Sequence, residues 1–191
     1  MTPSRPYHHG DLRQTVLAAA VEAITESGPA ALSLRDLARR AGVSHAAPAH
    51  HFGDKAGLLT AVAAQGYELL AEALTAAQQR TGEFLEVGVA YVLFAIERRA
   101  HFEVMHRPDL YHADDPAVLA ARSRTGEALY GGVGALPGER TGPRAALAGV
   151  AAWSLVHGFA TLWLNGALPP ALGDDPEAAA RDVARLLFRS P

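Results

Sequence analysis

The stretch from Ser33 to Leu59 constrains this chain more than any other: S-L-R-D-L-A-R-R-A-G-V-S-H-A-A-P-A-H-H-F-G-D-K-A-G-L-L. Ser33 and Asp36 form an S-x-x-D start signal. The hydroxyl can cap a free backbone N–H, and the acid suits the positive end of a helix. Leu34, Leu37 and Ala38 recur at spacings of three and four and so share one helix face, while Arg35, Arg39 and Arg40 lie elsewhere. Gly42 follows the last helical residue, where a left-handed backbone costs glycine little. Val43 can fill the space between two helices, and Ser44 is expected to cap a second helix beginning near His45. Pro48 then falls near the third or fourth helical position, where it costs little or one hydrogen bond. Asp54 is expected to cap a third helix, with Leu58 and Leu59 turned inward. Two short helices joined by a tight turn are the sequence form of a helix-turn-helix, which places one helix in the major groove of DNA.

The spaced set A-x-x-A-G-V-S (from Ala38), H-F (His51 and Phe52) and D-K-x-x-L-L (from Asp54) resembles the DNA-binding domain of TetR-family transcriptional regulators, over roughly residues 8–65. Farther on, Trp153-Ser154-Leu155-Val156-His157-Gly158 resembles the W-x-x-x-H-G signature of a subgroup's C-terminal domain. The resemblance implies an all-α protein in two parts. Residues 1–55 would form the DNA-binding domain, with the helix-turn-helix proper at about 33–52. Residues 56–191 would form a helical bundle for effector binding and dimerisation. It also implies the function: a repressor released from double-stranded operator DNA by a small-molecule effector.

In that reading His45, Ala46 and His50 face base edges, and Ser33, Arg35, Ser44, His51 and Lys55 meet phosphates. Small alanines let a helix approach closely and can touch thymine methyls. Phe52 is read as a core plug, and His8-His9 as an arm near the DNA. An ordinary helical corner is the competing account of the segment. The chain departs from the family at Ala49, where members usually carry a tyrosine that contacts the DNA backbone. Its loss should weaken binding by ~1 kcal/mol, the scale of one hydrogen bond.

Charge and composition narrow the class. The formal net charge of the 191 residues is −3, which excludes a protein that is basic throughout. Residues 1–60 carry six Lys/Arg and five Asp/Glu, whereas residues 61–191 carry eleven and fifteen. Five of the nine histidines also lie in the first 60 residues. The N-terminal part is therefore the face for phosphate, with few ionic contacts and salt-sensitive binding. The absence of cysteine excludes disulfides and thiolate metal sites. No apolar signal segment opens the chain, so a cytoplasmic location is expected.

Helical periodicity fills the remainder. Helices are expected at about 11–27, with Val16, Leu17, Ala20 and Ile24 inward, and from Asp54 towards Gln79, with Glu68, Glu72 and Gln79 outward. Residues 83–99 are apolar on nearly every side, the mark of a central bundle helix. Another helix opens at Asp114-Asp115-Pro116. Residues 131–143, with five glycines and two prolines, read as a mobile loop. Two helices at 144–168 and 175–188 close the chain. Such a pair is completed by a second copy as a four-helix bundle, so a homodimer is expected, with Leu155, Phe159, Leu162, Val183 and Leu187 at its interface.

Tyr91, Phe94, Phe102, Met105, Tyr130, Trp153 and His157 are the candidates for an effector-cavity wall, and each fits plain core as well. Ala145–Gly173 holds no charged residue and is long enough to span a bilayer. Its small residues suit a dry dimer interface equally, and no membrane partner is assigned. Glu103 and His106 form an E-x-x-H pair of the kind di-iron bundle enzymes use. Those enzymes need a second copy and further inward acids, which this chain lacks. A metal-dependent bundle enzyme and a membrane-anchored protein through 145–168 are the alternatives. No catalytic residue, metal site or cofactor is assigned.

Overall fold

The amide of Pro48 is missing its hydrogen, and this shifts the start of the second helix of the motif. A helix capped by Ser44 would need residue 48 to donate to the Ser44 carbonyl. In the computed structural model that carbonyl takes the Ala47 N–H instead, at 3.0 Å, in a tight turn. The helix therefore starts at Ala47, not His45, with Pro48 at its second position, where no intrahelical donor is required. Ala46 stands at its N-cap without a side-chain cap.

The structure describes residues 9–131 and 143–188, with side chains described over 12–131 and 146–186. The expectations for His8 and His9, the loop at 131–143, and Leu187 lie outside the described residues or side chains. The described residues hold nine α-helices and no strand. They are α1 His9–Ser27, α2 Leu34–Arg40, α3 Ala47–Phe52, α4 Lys55–Thr81, α5 Phe84–Glu97, α6 Arg99–Met105, α7 Pro116–Tyr130, α8 Pro143–Leu164 and α9 Pro176–Phe188. Short 3-10 turns at Pro29–Ala31, Pro108–Leu110 and Pro170–Leu172 each begin on a proline.

The chain divides into two compact units: residues 1–65 with 100–119, and residues 66–99 with 120–191. In the first, α1, α2 and α3 pack on one another. Val16, Leu17, Ala20 and Ile24 of α1 are buried, as their spacing predicts, together with Leu37, Ala38, Leu58 and Leu59. Residues 100–119 join this unit through polar bonds to α4. His101 Nε2 lies 2.9 Å from Gln65 Oε1, and the His112 N–H donates to Thr60 Oγ1 at 3.0 Å.

In the second unit α5 packs on α8 and α9. Val87, Val89, Tyr91, Val92, Phe94 and Ala95 are all buried, which accounts for a helix apolar on every side. A Cβ at Gly88 would come within 3.1 Å of Val156 Cγ1, so this glycine permits the close approach of α5 and α8. Arg181 of α9 grips Glu86 of α5 with two bonds of 2.9 Å and reaches Glu177 at 2.9 Å. Bidentate charge-assisted bonds of this kind fix orientation as well as distance. They hold the Glu86 carboxyl below, and the Arg181 guanidinium above, their ordinary pKa values.

Candidate nucleic-acid interface

The turn between α2 and α3 is a Schellman motif. Gly42 adopts φ +65°, its N–H donates to Arg39 O at 3.3 Å, and the Val43 N–H donates to Ala38 O at 3.0 Å. The left-handed step is the one that glycine takes without steric cost. At the other end of α2, Ser33 Oγ accepts the Asp36 N–H at 3.5 Å, the expected cap in a long form. Asp54 Oδ1 accepts the Gly57 N–H at 2.8 Å and caps α4, as its position predicts. Gly57 is needed there, because a Cβ would run into the Phe52 carbonyl oxygen. The end of α3 and the start of α4 are thereby locked against each other.

This frame fixes what the segment presents. Ala47 and Pro48 are buried, whereas His45, Ala46, Ala49 and His50 are exposed and His51 is half-buried. Ala46 and His50 stand four residues apart, one above the other on a helix face, and His45 lies in the turn before them. The His50 and His51 rings meet edge to face at 5.3 Å, and His51 lies 6.4 Å from the ring of Phe52. Phe52 is only half-buried, with the Arg13 guanidinium 5.2 Å above its ring, so it is less a core plug than a cation–π platform.

The fixed charges around the motif are mostly engaged. Arg40 holds Glu26 with bonds of 2.7 and 2.8 Å, clamping α2 to α1. Arg39 pairs with Asp36 at 3.3 Å. The Lys55 ammonium donates to Ala30 O at 2.7 Å, bracing the start of α4 against the turn after α1. Arg35 and Ser44 are exposed, and Ser33 is half-buried.

The other predicted residues separate into groups. Tyr91, Trp153 and His157 come together: the Trp153 N–H donates to the Tyr91 hydroxyl at 3.2 Å, which lies 3.0 Å from His157 Nδ1. Burial pushes the Tyr91 hydroxyl up to about 12 and pushes His157 below its ordinary value. Phe94 is buried in the same unit, and Tyr130 is exposed. Phe102 and Met105 are buried in the first unit. A cleft of 760 Å³ between α4 and α7 is lined by Glu68, Glu72, Gln79, Arg124, Glu127 and small residues, none of them among the expected wall residues.

Of the interface candidates, Leu162 is exposed, Leu155 and Val183 are half-buried, and Phe159 is buried within its own protomer, stacked on Trp163 at 5.8 Å. Sequence periodicity did not single out Leu147, Val150 and Leu186, which are exposed apolar residues on α8 and α9. Among the described residues, Ala146–Leu164 is the one stretch long and apolar enough to cross a membrane. His106 Nδ1 donates to Phe102 O at 2.9 Å, and its ring lies tilted against Phe102 at 4.6 Å.

Residues 16–62 match the family model of bacterial regulatory proteins of the tetR family, and residues 84–187 match a tetracyclin repressor-like C-terminal domain. The second description names no W-x-x-x-H-G subgroup. A comparison with curated protein sequences gives no match. Among solved structures, a protein of unknown function from Rhodococcus sp. RHA1 is similar, with a TM-score of 0.79 at 31% identity over 97% of each chain. The TetR family transcriptional regulator PfmR from Thermus thermophilus has a TM-score of 0.63 at 26% identity, over 92% of this chain and 97% of that one. NalD, the secondary repressor of the MexAB-OprM multidrug efflux pump in Pseudomonas aeruginosa, shares the fold at 22% identity, with a TM-score of 0.59 over 94% of each chain. A capped, glycine-turned helix-turn-helix followed by a helical bundle, matched by models of both parts, leads to one conclusion: the chain belongs to the TetR family of DNA-binding transcriptional regulators.

Proposed function

We propose that this protein is a cytoplasmic, non-enzymatic, homodimeric repressor that leaves its operator when a small molecule binds the C-terminal domain. The observation that carries the reading is the exposed edge of His45, Ala46 and His50 on a braced helix-turn-helix, flanked by Ser33, Arg35, Ser44, His51 and Lys55 for phosphates. Residues 1–55 are the DNA-binding domain and 56–191 the effector and dimerisation domain in this reading. Lys55 serves twice, since an ammonium bound to one carbonyl keeps donors for a phosphate. Release on effector binding is typical of the family, and NalD is itself a repressor.

A single helix, α4, contributes Lys55–Gln65 to one compact unit and Gly66–Thr81 to the other. It is the natural carrier of a signal, because a packed helix shifts as a body and dimer half-sites tolerate only one spacing. The exposed Leu147, Val150 and Leu162 on α8 and Leu186 on α9 support dimerisation through these helices.

Gel-shift titration against the promoter of its own gene, with and without a panel of apolar and aromatic compounds, tests the reading. A specific complex dissolved by at least one compound is expected. Tight specific binding that strengthens with compound would overturn release as the mechanism.

A further inference from the structure

We propose that the DNA-reading edge is charged by protons. Operator binding takes up protons on His45, His50 and His51, so mild acidification tightens it. The inference rests on the reading of this segment as the DNA-contacting edge and adds what supplies its positive charge.

No Lys or Arg occurs between Arg40 and Lys55, the span that contains the whole recognition helix. A B-DNA duplex presents one negative charge per ~1.7 Å of its axis, so a reading edge normally needs cations of its own. Most of the neighbouring fixed cations also make contacts within the protein. On α2, Arg39 and Arg40 are paired with Asp36 and Glu26. On α1, Arg13 lies over the Phe52 ring. At the start of α4, Lys55 gives one donor to the Ala30 carbonyl and keeps the others for a phosphate. Of the described Lys and Arg from α1 to the start of α4, Arg35 is exposed and without a partner. Histidine, the side chain whose charge changes between about pH 5 and 8, fills the gap three times.

Among the described residues, no carboxylate of the packed elements bonds to these rings. Glu26 is held by Arg40, Glu22 acts on the same guanidinium, and Asp36 serves Arg39. The Asp54 carboxylate is turned to the Gly57 N–H. The ring contacts of His50 and His51 are with each other and with Phe52. Phosphates of a bound duplex, close to these rings, favour their protonated form, so the complex holds more protons than the free protein. By linkage, affinity then rises as pH falls.

Fluorescence anisotropy of the full-length protein with a labelled duplex from its own promoter, and with a scrambled duplex, tests this at pH 6.0, 7.0 and 8.0 and constant ionic strength. Specific Kd should be about 10-fold lower at pH 6.0 than at 8.0. The triple variant His45→Gln, His50→Gln, His51→Gln should flatten the dependence to less than about 2-fold. His50→Lys should restore tight binding at pH 8.0. Melting temperatures at each pH report folding separately. Specific binding with one Kd across the range, or a triple variant that keeps the full pH dependence, would overturn this inference alone. Specific binding at no pH would overturn the proposed function and the inference with it.

Discussion

Gly57 has no room for a side chain, because the Phe52 carbonyl oxygen occupies the space a Cβ would need. Gly57→Ala should therefore push the recognition helix off the start of α4 and cost about 1–3 kcal/mol of stability, measured by urea unfolding. An unchanged urea midpoint would show that the junction is looser than its geometry. Ala49 behaves oppositely. It is exposed, so a larger side chain fits, and Ala49→Tyr should strengthen operator binding by ~1 kcal/mol in gel-shift titrations. Equal or weaker binding would remove tyrosine's backbone contact from the account. At this scale the sequence was legible where one residue has a single local role, and the Gly42 turn and the Asp54 cap stand where their types predict. It misled at Ser44, because a hydroxyl advertises a cap while the missing Pro48 hydrogen decides where the helix begins. Gly57 was overlooked, since its need arises from the neighbouring helix and not from its own φ.

Helices α5 and α8 meet through the Trp153–Tyr91–His157 chain and the Gly88–Val156 approach. Tyr91 keeps its proton at all ordinary pH, since burial raises it to about 12. His157 is held below its ordinary value by burial, so the native state favours the neutral ring. The unfolded chain binds the proton more readily. The stabilisation is therefore complete above the unfolded pKa of about 6.5 and is lost as pH falls from there through the folded value. Urea midpoints should drop between pH 7 and pH 5, and His157→Gln should drop less; equal slopes would remove His157 from the account. The helices of the described residues were nearly all legible as periodic runs. The break between α5 and α6 was not: Arg98 leaves the helical conformation at φ −117° and ψ 41° without a glycine or proline to announce it. The polar chain was half legible, because Trp153 and His157 share a helix turn while Tyr91 comes from 62 residues away.

Across the whole chain, the uncharged run of α8 and its pairing with α9 announced an apolar surface without saying which of its residues the protomer covers itself. Phe159 is covered, whereas Leu147 and Leu186 are 68% and 72% exposed, and only the packing around them separates the two cases. The double variant Leu147→Asp, Leu162→Asp should be monomeric in light scattering and bind operator at least about 10-fold more weakly, because two half-sites then bind independently. A dimeric double variant would move the interface elsewhere. Effector identity was the least legible property, since apolar aromatic residues serve a core and a cavity wall alike. Footprinting of the promoter of its own gene with the purified protein tests the central claim most directly. The account predicts two protected half-sites on one face of the duplex, related by a twofold axis and spaced by about one helical turn or a multiple of it. DNA left uniformly accessible at protein concentrations that saturate other dimeric regulators would contradict it.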